Sequence, residues 1–273
     1  MTLSSSFRSI VRVRQDSARR HDQHDQHAVE HAVMRQLQAC LKSLSPGEVS
    51  LPAAILSDEG IAPWVREHRL AVDVRSMTEL YGVISSGIHP RLITAHTDTL
   101  TVAEVQHVAK IGVGRVVLGR LGHIALFGDA DDDREQNVLL RMRPRDAATG
   151  RPGFVFDSHE ADLAVERVLN HRRLNLVGLH CDVGSAEEDF VSYPAAVGDM
   201  IAQMERIRRQ RGLLLTCLGI GGGAFFATDD EHPLCELVDR VDESVDDACA
   251  TLRFPRPVVV IAAGTEVIGR VAA

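Results

Sequence analysis

Short apolar runs rich in β-branched residues recur along the chain from residue 48 to residue 264. They are runs rather than alternations of apolar and polar residues, which is typical of strands buried on both faces. The pattern predicts eight strands: EVSLPAAIL (48–56), LAVDV (70–74), RLITA (91–95), RVVLG (115–119), NVLLRMR (137–143), LNLVGLHCDV (174–183), LLLTCLGIG (213–221) and PVVVIAAG (257–264).

Helical patterns lie between most of these runs, and several carry end signals. SMTELYGVISSG follows the second run with Gly87 as its predicted C-cap, and TVAEVQHVAKIG follows the third and closes at Gly112. SHEADLAVERVLNHRR begins at Ser158, a predicted N-cap. YPAAVGDMIAQMERIRRQRG and DDEHPLCELVDRVDESVDDACATL lead into the last two strands. This alternation predicts one α/β domain, a (β/α)8 TIM barrel, with a doubly wound open sheet as the alternative.

The chain before the first strand has a different character. Residues 1–45 are polar and then helical, with His24, His27 and His31 spaced i, i+3, i+7 on the predicted helix. Solvated helix histidines are commoner than metal ligands, so we predict no metal site there. The expected organisation is an N-terminal segment, 1–45, followed by a barrel domain, 46–273.

Composition fits a soluble cytoplasmic protein. The chain has 273 residues, of which 45% are hydrophobic and 25% charged. No apolar run reaches the roughly 18 residues of a spanning helix, and the N-terminus lacks the apolar stretch of a secretory signal. The five cysteines are widely spaced without a CxxC pair, which favours reduced thiols over disulfides or zinc. A net charge of −8 argues against nucleic acid as the main partner.

Polar residues gather where the predicted strands end, the face on which barrels place functional groups. These residues are Asp73, Ser76, Arg141, Arg143, His180, Asp182, Ser185 and Gly221–Gly223. Asp182 ends an apolar strand, so its carboxylate has to be hydrated, paired or protonated. We expect Arg141 to pair with Asp73 or with a ligand carboxylate. His180 is either a core histidine or part of a site.

Two of these strand ends have the features of an anion site. Gly221, Gly222 and Gly223 follow a strand and precede a helical segment, so their backbone N–H groups can surround a phosphate. A flexible turn is the alternative. Ser185, after its own strand and glycine, would add a hydroxyl. We therefore predict a phosphate site formed by Ser185 and Gly221–Gly223, with Arg141 beside it.

Several motifs resemble those of one family. GLHCDVGS resembles G-L-H-x-H-V-G-S, LGIGGGAFF resembles L-D-I-G-G-G-F, and LAVDVRSMTEL resembles G-x-D-V-A-S-x-x-E-L. VLLRMRP and GFVFDSHEA are similar to V-L-L-R-I-N-P and K-F-G-L-D. The family is the fold type III pyridoxal-phosphate decarboxylases of diaminopimelate, ornithine and arginine, with diaminopimelate decarboxylase nearest. The resemblance implies an alanine-racemase-like barrel from about residue 48 that binds pyridoxal phosphate through Ser185 and Gly221–Gly223. It also implies a dimer, either of this chain or with an intact relative.

The same resemblance exposes departures from the family pattern. The family's Y-A-V-K-A-N strand carries the Schiff-base lysine, and EVSLPAAIL places Ala54 there. The two lysines of the chain, Lys42 and Lys110, lie before that strand and within a later helix. Asp182 stands in place of a ring-stacking histidine, and Gly219 in place of an aspartate.

Further departures concern the last strand and the C-terminus. The family's E-P-G-R corresponds to residues 254–257, FPRP, and its V-D-S-x-x-E-L to LGRLGHI. We expect the residues up to Ala273 to hold no counterpart of the family's C-terminal β domain. An alanine can neither attach the cofactor nor expel product from it. A carboxylate over the ring would meet the π-cloud with the wrong charge.

We therefore expect a catalytically impaired, decarboxylase-like barrel, a pseudoenzyme that binds pyridoxal phosphate or a similar phosphorylated ligand without a covalent link. One alternative is an active lyase of this class, or an enzyme on another phosphorylated ligand, with His180 and Asp182 as its acid–base pair. Another is a truncated product without stable function. Amino acids are the other expected small-molecule partners, and neither a membrane nor a metal is expected.

Overall fold

The computed structural model describes residues 47–57, 61–127, 134–144, 152–183, 193–221 and 233–262. Its strands are β1 Gly47–Pro52, β2 Ala71–Val74, β3 Ile93–His96, β4 Arg115–Leu118, β5 Gln136–Arg143, β6 Phe154–Val155, β7 Leu174–Asp182, β8 Cys217–Gly221 and β9 Val258–Ala262. Each of the eight predicted runs overlaps one of these strands; only the two-residue β6 was not predicted. In the seventh run, residues 213–216 precede the strand, which begins at Cys217.

Eight of the strands close into a barrel in which every pairing is parallel. The order around the ring is β1-β2-β3-β4-β5-β7-β8-β9, and β9 pairs with β1. The short β6 pairs only with β5. The predicted (β/α)8 barrel is confirmed. The open-sheet alternative is wrong because the β1–β9 pairing leaves the ring without an edge.

The helices that connect these strands are α1 Ile61–Glu67, α2 Met77–Ser85, α3 Val102–Ile111, α4 Leu121–Leu126, α5 His159–Leu169, α6 Tyr193–Arg211 and α7 Pro233–Leu252. The predicted ends are largely confirmed: Ser158 Oγ accepts the Ala161 N–H at 3.1 Å, and Gly112 is a left-handed C-cap with φ 70°. Gly87 lies one residue beyond the cap of α2, which is Ser86. The short helices α1 and α4 were not predicted.

The barrel separates two kinds of interior. Outward-facing strand residues such as Val72 and Leu140 pack under the helices in the main core. Inside the ring, a middle layer is apolar and consists of Val117, Leu139, Cys217 and Val260. Towards the carboxyl ends of the strands the buried side chains become polar: Ser50, Asp73, Thr94, His96, Arg141 and His180. The candidate site lies in this upper layer.

One irregularity in β7 turns the side chains of His180 and Asp182 inward. Val138 pairs with Leu176, but the next residue, Leu139, pairs with Gly178, so β7 carries one extra residue. A one-residue shift moves the following side chains to the other face of a strand. His180 therefore comes opposite Arg141. Glycine is required at Gly178 because a Cβ there would lie 1.8 Å from the Cys217 carbonyl oxygen.

The remaining predictions concern membrane-spanning helices, metal sites and the N-terminal segment. In the part of the chain that the structure covers, no helix is long and apolar enough to cross a membrane, and no three His, Cys, Asp or Glu side chains are grouped to hold a metal. The N-terminal segment, with His24, His27 and His31, lies outside the described residues. The division of the chain at residue 45 therefore stays a prediction.

Candidate functional site

Arg141 is the centre of a buried polar cluster at the carboxyl ends of the strands. Only 3% of its surface is exposed. Its Nε lies 2.6 Å from Asp98 Oδ2, its Nη2 lies 2.6 Å from His96 Nδ1, and its Nη1 contacts the Asp182 carboxylate. Burial lowers the pKa of Arg141, and the Asp98 carboxylate acts against that shift. The guanidinium stays cationic because its ordinary pKa lies far above neutrality.

His96 links Arg141 to a second carboxylate. A guanidinium only donates hydrogen bonds, so His96 Nδ1 accepts and the ring carries its proton on Nε2. That Nε2 lies 3.4 Å from Asp73 Oδ2. Burial lowers the pKa of His96, and the charges of Arg75 and Arg141 lower it further against the opposing effect of Asp73. His96 is therefore neutral at pH 7.

Asp73 remains ionised although it is buried. Burial alone would raise the pKa of Asp73, but the neighbouring His96, the hydrogen bond from Ser50 and the charge of Arg75 outweigh it. The net pKa lies below the ordinary value. Ser50 Oγ donates to Asp73 Oδ1 at 2.6 Å, so each carboxylate oxygen has a donor beside it.

His180 and Asp182 form the other side of the cluster. The His180 ring stands edge-on to His96, with centroids 5.1 Å apart, and its Nε2 lies 3.2 Å from Asp182 Oδ1. Burial, followed by the charge of Arg141, holds the pKa of His180 well below its ordinary value. A neutral His180 therefore donates to Asp182 while Arg141 binds the other carboxylate oxygen. The sequence allowed three states for the Asp182 carboxylate: hydrated, paired or protonated. The structure shows that it is paired with Arg141 and His180.

The open end of the cluster consists of Asp182 and Arg75. Arg75 Nη2 lies 3.7 Å from Asp182 Oδ1, and 49% of the Arg75 side chain and 34% of the Asp182 side chain are exposed. Across from them, β8 presents bare backbone. A Cβ at Gly219 would lie 2.7 Å from His180 Nδ1, and one at Gly221 would lie 2.5 Å from Asp182 Oδ1. These glycines make room for the two side chains.

Several predicted site residues have other places in the structure. Arg141 does not pair with Asp73 directly, because His96 lies between them. Ser76 caps α2, where its Oγ accepts the Glu79 N–H at 3.2 Å. The Nε of Arg143 donates to the Gly153 carbonyl at 3.1 Å.

Other predictions lie at the wrong end of the barrel or outside the described chain. Residues 254–257, expected to replace the family's E-P-G-R near the last strand, precede β9 and so lie at the end opposite the cluster. Ser185, Gly222 and Gly223 lie outside the described residues, so the phosphate site stays a prediction. Of its glycines, only Gly221 is described.

The sequence reasoning missed four members of the cluster. They are Ser50, Arg75, His96 and Asp98. His96 and Asp98 come directly after the apolar run RLITA, so the strand-end rule that selected Asp73 would have found them. Ser50 lies inside its strand, and only the parallel pairing of β1 with β2 shows that it faces Asp73.

The described strand ends offer no strong nucleophile. Ala54 lies exposed in a 3-10 turn, Ala53–Ser57, directly after β1. Lys110 lies exposed on the outer helix α3, and Lys42 lies outside the described residues. Burial raises the pKa of the Cys181 thiol to about 12, so it stays protonated.

Comparison with known proteins identifies the relationship. Residues 30–269 match the pyridoxal binding domain of the pyridoxal-dependent decarboxylases. The chain belongs to this family. It is 30% identical over 261 residues to the diaminopimelate decarboxylase of Actinosynnema pretiosum subsp. auranticum, covering 88% of this chain and 57% of the relative. It is 26% identical over 248 residues to that of Bacillus subtilis, covering 85% and 56%.

Solved structures of decarboxylases share the fold. Diaminopimelate decarboxylase from M. jannaschii, in complex with L-lysine, superposes with a TM-score of 0.69 at 15% identity, covering 88% of this chain and 59% of that one. Lysine/ornithine decarboxylase from Vibrio vulnificus, complexed with putrescine, gives 0.68 at 20% identity, covering 87% and 62%. This decarboxylase-family chain thus spans a little over half the length of the curated relatives it matches.

The cofactor of the family is pyridoxal phosphate. The described residues do not fit its covalent attachment. No primary amine lies among the described strand ends, and the three nitrogens of Arg141 already face Asp98, His96 and Asp182. Asp182 and His180 also fill the space beside β8.

Proposed function

We propose that this barrel binds pyridoxal phosphate without a covalent link and does not carry out the family's lysine-dependent decarboxylation. The observation that carries the proposal is Ala54 in the turn after β1, where the family resemblance expects the Schiff-base lysine. A methyl group can neither attach the cofactor nor release product from it. Lys110 is no substitute because it lies on the outer ring of helices.

The charges of the cluster support the same proposal. Asp182 stands where the resemblance expects a ring-stacking side chain, and it is bound by Arg141, His180 and Arg75. A carboxylate repels the π-face of an aromatic ring. The ring of a bound cofactor would therefore be held more weakly beside Asp182 than it would be by a stacked histidine. We propose that Ser185 and Gly221–Gly223 supply most of the affinity by holding the phosphate.

The alternative of an active lyase rests on one contact, the 3.2 Å between His180 Nε2 and Asp182 Oδ1. As an acid–base pair these residues would have to exchange protons with a substrate. His180 is 3% exposed, and Asp182 would lose its contact with Arg141 on protonation. We therefore rank this alternative second. Under it, Asp182→Asn abolishes a turnover that the wild-type protein shows.

The expected partners follow from the family. L-lysine and putrescine are bound by the structural neighbours, so amino acids and their amines are proposed as ligands to screen. We further propose that the protein is cytoplasmic and dimeric, either with itself or with an intact relative. Size-exclusion chromatography with light scattering on the purified chain measures directly whether it forms a homodimer.

Two measurements on the full chain test the proposal. Equilibrium dialysis of pyridoxal phosphate should show saturable, reversible binding that Ser185→Ala weakens on the order of tenfold. Carbon dioxide release from diaminopimelate, ornithine, arginine or lysine should stay at the level of free pyridoxal phosphate. Turnover above that level would support the alternative, and absence of saturable binding would reject the proposal.

A further inference from the structure

A cavity lies at the amino-terminal end of the barrel, opposite the Arg141 cluster. It has a volume of about 430 Å³ and is bounded by the starts of strands, including Gly47 of β1, Arg115 of β4 and Asn137 of β5. The apolar layer of Val117, Leu139, Cys217 and Val260 separates it from the upper site. Its volume falls within the range of small-molecule sites.

The lining of this cavity is rich in hydrogen-bond donors. Arg69, Arg91 and Arg115 all face it, against Glu48 as the acidic member of the lining. Arg115 Nη2 lies 2.6 Å from Glu48 Oε2, so that carboxylate is already paired. Asn137 Oδ1 accepts from Asn175, which leaves the Asn137 amide N–H groups as further donors.

Two of the arginines carry unbalanced charge. Arg69 and Arg91 are exposed, and within the described part of the chain neither guanidinium has an acidic partner. The protein as a whole carries a net charge of −8, so this positive mouth runs against the overall charge. Arginine forks match the oxygens of phosphate groups.

Arg69 is held at the mouth in a conformation that favours glycine. Its φ is 53°, in the left-handed region, at the end of α1. Leu70 N–H donates to the Val65 carbonyl at 3.1 Å and Arg69 N–H to the Arg66 carbonyl at 3.2 Å, the helix ending at which glycine is usual. Arginine here stabilises the fold less than glycine would, but it places a cation beside the cavity.

We propose that the amino-terminal mouth of the barrel is a binding site for a small phosphorylated molecule, recognised by Arg69, Arg91 and Arg115. The site does not depend on the cofactor site at the other end. Arg115, with 18% of its side chain exposed and Glu48 beside it, forms the inner wall. Arg69 and Arg91 close on the phosphate from the rim.

A matched pair of variants tests this proposal. Arg253 has φ 52° at the end of α7, where Phe254 N–H donates to the Cys249 carbonyl at 3.0 Å. It has the same residue type and backbone geometry as Arg69, but it does not line the cavity. Arg69→Gly and Arg253→Gly should both raise Tm by a few degrees, because each relieves a left-handed arginine.

Pyrophosphate is the probe, titrated calorimetrically into the full chain at constant ionic strength. Arg69→Gly, and separately Arg91→Gln, should each weaken binding on the order of tenfold, while Arg253→Gly leaves it unchanged. Pyrophosphate bound at the other end of the barrel contributes equally to all of these proteins. Equal pyrophosphate binding by the Arg69→Gly and Arg253→Gly variants would overturn the proposal. It would also be overturned if sodium chloride, at the same ionic strength, abolished the heat of pyrophosphate binding to the wild-type protein.

Discussion

The Arg141 guanidinium donates from Nη2 to His96 Nδ1 over 2.6 Å, and this contact fixes the tautomer of the histidine. The proton must then lie on Nε2, towards Asp73. Protonation of Nδ1 would break the contact and set two cations against each other in a buried site. The cluster is therefore built for a neutral histidine between a buried cation and a buried carboxylate.

Stability should fall as the solution becomes acidic. The pKa values of His96 and His180 in the folded protein lie below their ordinary value of 6.5, so the unfolded chain binds more protons below that pH. Their contribution is fully present above pH 6.5 and is lost as the pH falls below it. Tm measured from pH 8 to pH 5 should decrease, and His180→Gln should make the decrease shallower. A flat or rising Tm over that interval would contradict the protonation states described.

Arg141 should be far more important for stability than the neighbouring Arg75. Arg141→Met leaves Asp98 and Asp182 without their buried cation, which should lower the free energy of unfolding by about 3–5 kcal/mol. Arg75→Met removes an exposed partner of the same Asp182 and should cost less than about 1 kcal/mol. Urea unfolding of both variants measures the two losses in free energy of unfolding. Similar losses would show that the burial of Arg141 does not determine how much its ion pairs contribute to stability.

Gly219 should be intolerant of a side chain because of His180. A Cβ at residue 219 would lie 2.7 Å from His180 Nδ1, so Gly219→Ala should lower the free energy of unfolding by about 1–3 kcal/mol. Combining it with His180→Ala should recover part of that loss, and the coupling comes from a double-mutant cycle. Gly198 is the control: it lies in α6 with no atom within 4 Å of its added Cβ. Gly198→Ala should raise stability by about 0.5–1 kcal/mol. Additive effects at Gly219 and His180 would argue against the close approach.

A lysine placed at residue 54 should restore a covalent link to pyridoxal phosphate. Ala54→Lys puts an amine where the family resemblance expects the Schiff-base lysine, whereas Ala53→Lys moves it one residue back along the same turn. Borohydride reduction followed by peptide mass mapping should find the cofactor on residue 54 and much less on residue 53. Equal labelling would mean that Ala54 does not occupy the expected place.

The sequence predicted the barrel well because its strands are continuous apolar runs, a signal that each strand carries by itself. It predicted that Asp182 is paired, hydrated or protonated, but it could not choose among these states. The choice depends on the extra residue of β7 opposite Val138 and Leu139 of β5, which turns the Asp182 side chain inward. His96 was missed although it directly follows a predicted strand, and its role depends on Arg141, 45 residues away. Such contacts are created by closing the ring and leave no local pattern.

Intact-mass measurement decides whether this member of the decarboxylase family holds its cofactor without a lysine. The wild-type chain is incubated with an equimolar amount of pyridoxal phosphate, reduced with borohydride and weighed, with reversible binding measured by dialysis of an unreduced sample. We predict saturable binding and an unmodified mass. One reduced cofactor per chain on Lys42 or Lys110, accompanied by a visible absorbance band, would contradict the proposed non-covalent binding.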